Sequence, residues 1–333
     1  MYVFIDLLKV LAAICITNSH FSKVWPISGI ASGGMLGDII FFAVSGYCLR
    51  QPGIRVKAFG KWYGRRIRRI YITVWIVGIL TYVFVGGSFN CRDILRTFVY
   101  PTPYHFVASI MILYIIYYFV MWVLERWKIS TKKACLLYGG LVLVIYIFTY
   151  DKSTYHIDVV EEQFIRFLFL GAMLLGAYFK EKSTNKSEKD SPISTLKNTV
   201  ICGITVIVYF VCKILISKLE ILNVVQILTW ITIMIALYFT FRWAEDLENR
   251  LTNFPPVIKS GIHSIAQLTL QIYLVQYGII RQFENLIFPL NLIVIVAFIL
   301  IVARLVWVVD QFVQKMIDKI AIKIKIRAIY GRK

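Results

Sequence analysis

Asp6, Lys9 and His20 share one apolar stretch, DLLKVLAAICITNSH, in which nearly every other residue suits a lipid environment. A lysine at the centre of a membrane-spanning helix costs roughly 2.5–3.5 kcal/mol on insertion scales, so a partner or a function has to offset it. Lys9 and His20 are eleven positions apart. At about 100° per residue that is three turns plus about 20°, which puts both on one helix face, about 16 Å apart along the axis. A cation in such a place could stabilise an oxygen as it turns negative, and a histidine could take or give a proton. Asp6 precedes Lys9 by three residues, so a local i,i+3 ion pair is the plainer reading of the lysine. The plainer reading of His20 is an interfacial residue without chemistry.

Other residues extend this set. The segment GDIIFFAVSGYCLR carries Asp38 as its second residue, expected near the depth of His20, where a carboxylate would fix the imidazole tautomer. Ser45 and Gly46 lie deeper and form a notch that admits another backbone or a ligand. RRIRRIY then gathers Arg65, Arg66, Arg68 and Arg69, planar cations that match phosphate oxygens. Anchoring to anionic lipid, through an interfacial amphipathic helix, is the alternative for this basic segment. His105, Tyr273 and Gln276 fall toward the side of His20 as candidates to touch a second substrate. Their plainer readings are an interfacial histidine and helix–helix hydrogen bonds. Glu162 and Arg166 are spaced for an ion pair.

The elements that must position these groups are membrane helices. Hydrophobic residues make up 59% of the 333, and mean hydropathy is +0.72, beyond what a soluble domain of this size carries. Hydropathy places ten spans, at about 2–20, 33–50, 70–86, 104–124, 134–149, 163–180, 197–216, 222–241, 264–283 and 287–308. The first lacks a basic leader region and a small-residue cleavage site, so a retained span is expected and not a signal peptide. The net charge of +19 reads as loop charge that holds orientation, not as a nucleic-acid surface. Six cysteines form no CxxC pair and four histidines show no ligand spacing, so neither a disulfide framework nor a metal site is expected. The expected organisation is an all-α membrane domain over 1–310 and a basic tail over 311–333.

In this order the pieces resemble the acyltransferase 3 family of bacterial membrane enzymes. That family has an arginine, ten residues and a histidine in its first span, then FFxxSGY-like and RRxxRIxP-like segments. YHFVASIMILYIIYYF, RFLFLGAMLLGAYF and LTLQIYLVQY are similar to its later segments. Lys9 stands where the family has arginine, Ile72 where it has proline, and Gln276 where it has histidine. Asp38 comes one residue before the usual acid. The resemblance implies transfer of an acyl group, usually acetyl, from cytoplasmic acyl-CoA to a glycan hydroxyl facing the other side of a bacterial cytoplasmic membrane. It implies His20, Asp38 and Lys9 as catalytic groups. Lys9, Ser45 and the four arginines would hold acyl-CoA, and His105, Tyr273 and Gln276 the acceptor. Acyl-CoA would be a donor substrate, with no bound cofactor, and membrane lipids the other partners. A secondary transporter that uses the same intramembrane Lys, Asp and His is the alternative from another class. An inactive scaffold is a third.

Every second loop is basic: 50–69, 126–133, the linker KEKSTNKSEKDSP and the tail. Both termini and these loops are therefore expected in the cytoplasm. In a cysteine-free background, a cysteine at Asn90 should react with an impermeant reagent from outside, and one at Lys61 should not. The reverse pattern would overturn this orientation.

Overall fold

The computed structural model describes residues 2–85, 90–101, 104–184 and 192–330. Residues 185–191 of the polar linker and the last three of the basic tail lie outside them. The described elements are helical. In chain order they are α1 (Val3–Ser19), α2 (Gly34–Leu49), α3 (Phe59–Val85), α4 (Cys91–Ile94), α5 (His105–Arg126), α6 (Thr131–Thr149) and α7 (Ile165–Thr184). They continue with α8 (Pro192–Lys218), α9 (Ile227–Asp246), α10 (Glu248–Thr252), α11 (Pro256–Gln267), α12 (Thr269–Phe283) and α13 (Leu290–Tyr330).

Each of the ten expected spans coincides with helix, but seven described helical stretches are long and apolar enough to cross a membrane: Ser28–Leu49, in which a short helical turn precedes α2 and brings it to 22 residues, and α3, α5, α6, α8, α9 and α13. The other three fall short for visible reasons. α1 has 17 residues and α12 has 15, against the roughly 20 that an apolar crossing needs. α7 carries Arg166, Lys180, Glu181 and Lys182, which dilute its apolar run. Large apolar side chains on several helices face outward, including Phe148 of α6 (79% exposed) and Leu196 of α8 (68% exposed). Such helices need lipid on one side, so the chain is a multi-pass membrane protein.

Three boundaries differ from the hydropathy reading. The basic segment before the third span is no separate interfacial helix: it forms the first turns of α3, which runs unbroken for 27 residues. The ninth span divides, because α11 ends at Gln267 and α12 starts at Thr269. The helix expected to stop near residue 308 continues to Tyr330, 41 residues in all. At 1.5 Å per residue that is about 60 Å, roughly twice the hydrocarbon thickness.

The chain forms two compact units. The first comprises 1–19, 32–59 and 109–266, and the second 20–31, 60–108 and 267–333. Within the first, α2 is the central element, packed on α7 and α1. A Cβ at Gly46 would overlap the Met173 carbonyl of α7, and one at Gly176 would overlap the Ala43 carbonyl of α2. At Gly37 it would stand 2.7 Å from the Ala12 carbonyl oxygen of α1. Absent side chains let these backbones touch, and Tyr117 of α5 donates to the freed Gly46 carbonyl at 2.8 Å. At the far end of this unit the loop before α7 hangs on buried Gln226. Its side-chain oxygen accepts from the His156 and Ile157 amides, both at 3.0 Å.

Within the second unit, α3 is tied to α13 by two polar contacts. Buried Thr73 donates to buried Asp310 at 3.3 Å, and Arg68 pairs with Asp318 at 2.6 Å. Asn291 at the start of α13 holds the Val24 carbonyl at 3.0 Å, and Lys23 pairs with Glu284 at 2.9 Å. These contacts fix the loop that begins at His20.

Gly176→Ala should lower the unfolding temperature in detergent, by roughly 1–3 kcal/mol equivalent, since its Cβ meets rigid backbone. Gly139→Ala, which meets open space, should leave it unchanged. Equal melting of the two variants would contradict the close α2–α7 crossing.

Candidate active site

The first unit resolves the question raised by Lys9. Its Nζ lies 3.1 Å from Asp6 Oδ1, so the local i,i+3 pair forms. Asp6 is 6% exposed, and its other oxygen, Oδ2, lies 2.7 Å from His263 Nδ1 on α11. One buried carboxylate thus joins Lys9 of α1 to an exposed histidine 257 positions beyond Asp6. The start of α1 is fixed as well: Glu248 of α10 accepts from the Val3 amide at 3.1 Å and the Phe4 amide at 2.7 Å. Those amides have no partner within the helix, and a carboxylate there also suits the positive end of the helix dipole. Lys9 is therefore seated from both sides.

Asp38 is buried in the second turn of α2. Ser45 is half-buried, and the notch beside it at Gly46 is filled by the backbone of α7, the packing role that its small size allowed. The loop after α2 is clamped by Glu125, which accepts from the Gly53 and Ile54 amides at 2.7 and 2.8 Å. Arg166 donates to Gln163, not to Glu162 as its spacing had suggested.

The second unit holds His20, just past the last residue of α1. Its ring meets Tyr277 of α12 edge-on, with centroids 4.6 Å apart and planes at 61°. Tyr277 lies 6.0 Å from Tyr273 and 6.3 Å from Tyr104, and Phe106 lies 5.2 Å from Tyr273. His20 and Tyr273 therefore belong to one aromatic group at the meeting of the first loop, α5 and α12. His105 is half-buried at the first position of α5, between Tyr104 and Phe106 in sequence. Gln276 is fully buried on α12.

The four arginines of α3 do not behave alike. Arg68 is paired with Asp318, and Arg66 lies 3.9 Å above the Trp62 ring and donates to the Trp62 carbonyl. Arg65 and Arg69 are exposed, and a spacing of four puts them on one face. No group of three or more His, Cys, Asp and Glu among the described residues is placed to hold a metal ion.

A family model described as an acyltransferase domain matches residues 2–309. The chain belongs to the acyltransferase 3 family. It is also 31% identical over 90 residues to an O-acetyl transferase of Shigella phage Sf6, a match that spans 26% of this chain and 27% of that protein. No solved structure matches at a significant level.

Sequence reasoning missed three residues here. Glu248 and His263 lie in polar, non-spanning helices far from Lys9 in sequence, and neither carries a motif. Tyr277 follows Gln276 directly, and its signal was the aromatic spacing of Tyr273 and Tyr277, one helical turn apart. Tyr277→Phe should keep the edge-on contact and leave acyl transfer within about 2-fold, whereas Tyr277→Ala should lower it by about 10-fold, near the energy of one aromatic pair. A Tyr277→Ala protein with full turnover in a transfer assay would detach this ring from the site.

Proposed function

We propose that the chain moves an acetyl group from cytoplasmic acetyl-CoA to a hydroxyl of an extracytoplasmic or lipid-linked glycan. In this reading all ten apolar segments cross a bacterial cytoplasmic membrane, the shorter helices included, and both termini are cytoplasmic. The observation that carries the proposal is the acyltransferase match over residues 2–309 on a chain whose first helix seats Lys9 near its start and delivers His20 past its end. The phage relative's name supports acetyl as the group and oxygen as the acceptor atom.

The chemistry needs little beyond placement, because a thioester is already activated. The acceptor oxygen attacks the thioester carbon, and the C–O bond forms as the C–S bond breaks. Coenzyme A leaves as the thiolate, and His20 takes the hydroxyl proton. The reacting carbon must then lie near His20. With about 16 Å of helix rise between the two positions, Lys9 suits the carbonyls of the pantetheine arm better than the thioester oxygen. Asp38 keeps the acidic role that the sequence assigns it, as orienting partner of the histidine. Arg65 and Arg69 of α3 suit the donor phosphates. Ser45 would line the donor path, and His105, Tyr273 and Gln276 would meet the acceptor.

Lys9→Arg restores the family residue and should keep or raise transfer of labelled acetyl from acetyl-CoA in membrane vesicles. Lys9→Met keeps length and loses charge, and should remove most of it. His20→Gln cannot take a proton near neutral pH, so its rate should fall about 10²-fold or more. Well-folded Lys9→Met and His20→Gln proteins that acetylate near the wild-type rate would refute the assignment.

A further inference from the structure

His156 lies in the loop between α6 and α7 and belongs to none of the motifs above, yet the first unit fixes both its ring and its backbone. Its Nδ1 lies 2.8 Å from the Thr154 carbonyl oxygen. A carbonyl only accepts, so Nδ1 carries the proton, and in the neutral imidazole Nε2 is left as an acceptor. Among the described residues no group hydrogen-bonds to Nε2. The ring stacks on Tyr150 with centroids 4.8 Å apart and planes at 18°, and Tyr150 stacks in turn on Tyr146 at 5.1 Å and 26°. His156 is therefore the end ring of a three-ring stack, and it is half-buried. Fully buried Gln226 accepts from the His156 amide and donates to the Thr154 carbonyl, both at 3.0 Å. Buried Asn223 donates to the Ser153 carbonyl at 3.1 Å. The carbonyl that sets the tautomer is thus itself held from the core.

A histidine with a fixed tautomer, on a loop clamped by buried side chains, is a preorganised acceptor. The Tyr150 hydroxyl is buried without a partner, so the stack has further polar capacity that the protein does not use. An end ring beside a free acceptor nitrogen suits a sugar, which offers an apolar C–H face and hydroxyl donors on one ring. The sign of the loop narrows the class. Residues 150–164 hold Asp151, Asp158, Glu161 and Glu162 against Lys152, and even with Lys213 paired to Asp158 at 2.6 Å the loop stays negative. An anionic sugar would be repelled there. We infer that His156 and Tyr150 form a subsite for an uncharged sugar of the acceptor glycan, with His156 Nε2 accepting a hydrogen bond from one of its hydroxyls. The inference rests on the acceptor reading above, in which this loop is extracytoplasmic, and adds to it a contact in the first unit and a substrate class.

The test uses the purified full chain in detergent. The probe is oligosaccharide released from the surface glycan of cells lacking the gene, stripped of esters by mild alkali and split by anion exchange into neutral and acidic fractions. Diethyl pyrocarbonate modifies unprotonated imidazole nitrogen, and peptide mass spectrometry reads its rate at His156. The neutral fraction should slow that modification, and the acidic fraction should not. In transfer assays His156→Ala should raise KM for the neutral oligosaccharide about 10-fold, the order of one hydrogen bond, with KM for acetyl-CoA unchanged. His156→Gln keeps an acceptor oxygen near the Nε2 position and should restore most of the loss. If the parent acetylates the oligosaccharide while His156 stays unprotected, or while the acidic fraction alone protects it, the inference falls and the acceptor reading stands. A His156→Ala protein with an unchanged acceptor KM overturns it as well. Should His156→Ala fail to fold, protection of the parent protein decides alone. If the parent acetylates neither fraction, both readings fall together.

Discussion

A buried carboxylate shared by a lysine and a histidine governs what the first helix can carry. An unpaired lysine in an apolar helix opposes insertion, and an unpaired aspartate does the same. Placed three residues apart they compensate each other, and His263 takes the second oxygen of Asp6. That leaves a positive group held inside the membrane domain in a defined place. Glu248 at the start of the same helix removes its remaining freedom by capping the first amides. The pair first readable as merely structural is thus also what positions Lys9, and the two readings do not compete.

A second constraint is close backbone packing. Gly46 and Gly176 bring α2 and α7 together at distances that no side chain would allow. In lipid, where burial of apolar surface gives little drive for helix association, such contacts and the hydrogen bond from Tyr117 hold the bundle. Because α2 carries Asp38 near one end and Tyr47 and Cys48 near the other, this crossing sets the position of both ends. The second unit relies on polar ties instead. Thr73 with Asp310, and Arg68 with Asp318, join α3 to α13 over several turns.

Much of this was legible in the sequence, for physical reasons. Apolar runs must become helices in lipid because no other open structure satisfies the backbone, and each of the runs is helical, the ninth as parts of two helices. Helix spacing made Asp6 and Lys9 neighbours before any fold was known. What hydropathy cannot see is where a helix continues once its side chains turn polar, and α3 and α13 both run on into charged sequence. Nor can it see a break made by tertiary packing, as between α11 and α12. His263 and Glu248 were invisible because their partners are set by long-range packing, and polar residues in amphipathic helices look alike until one is placed. The SG notch had two readings in sequence, and the α7 backbone at Met173 shows which one packing uses.

The central claim is that this family member modifies a surface hydroxyl with an acetyl group. Mass spectrometry of cell-surface glycans from cells with and without the gene tests it most directly. The account predicts an increment of about 42 daltons, that of an acetyl group replacing a proton, present with the gene, absent without it, and lost on mild alkaline treatment that cleaves esters. Identical glycan masses in the two strains, with the protein expressed and folded, would contradict it.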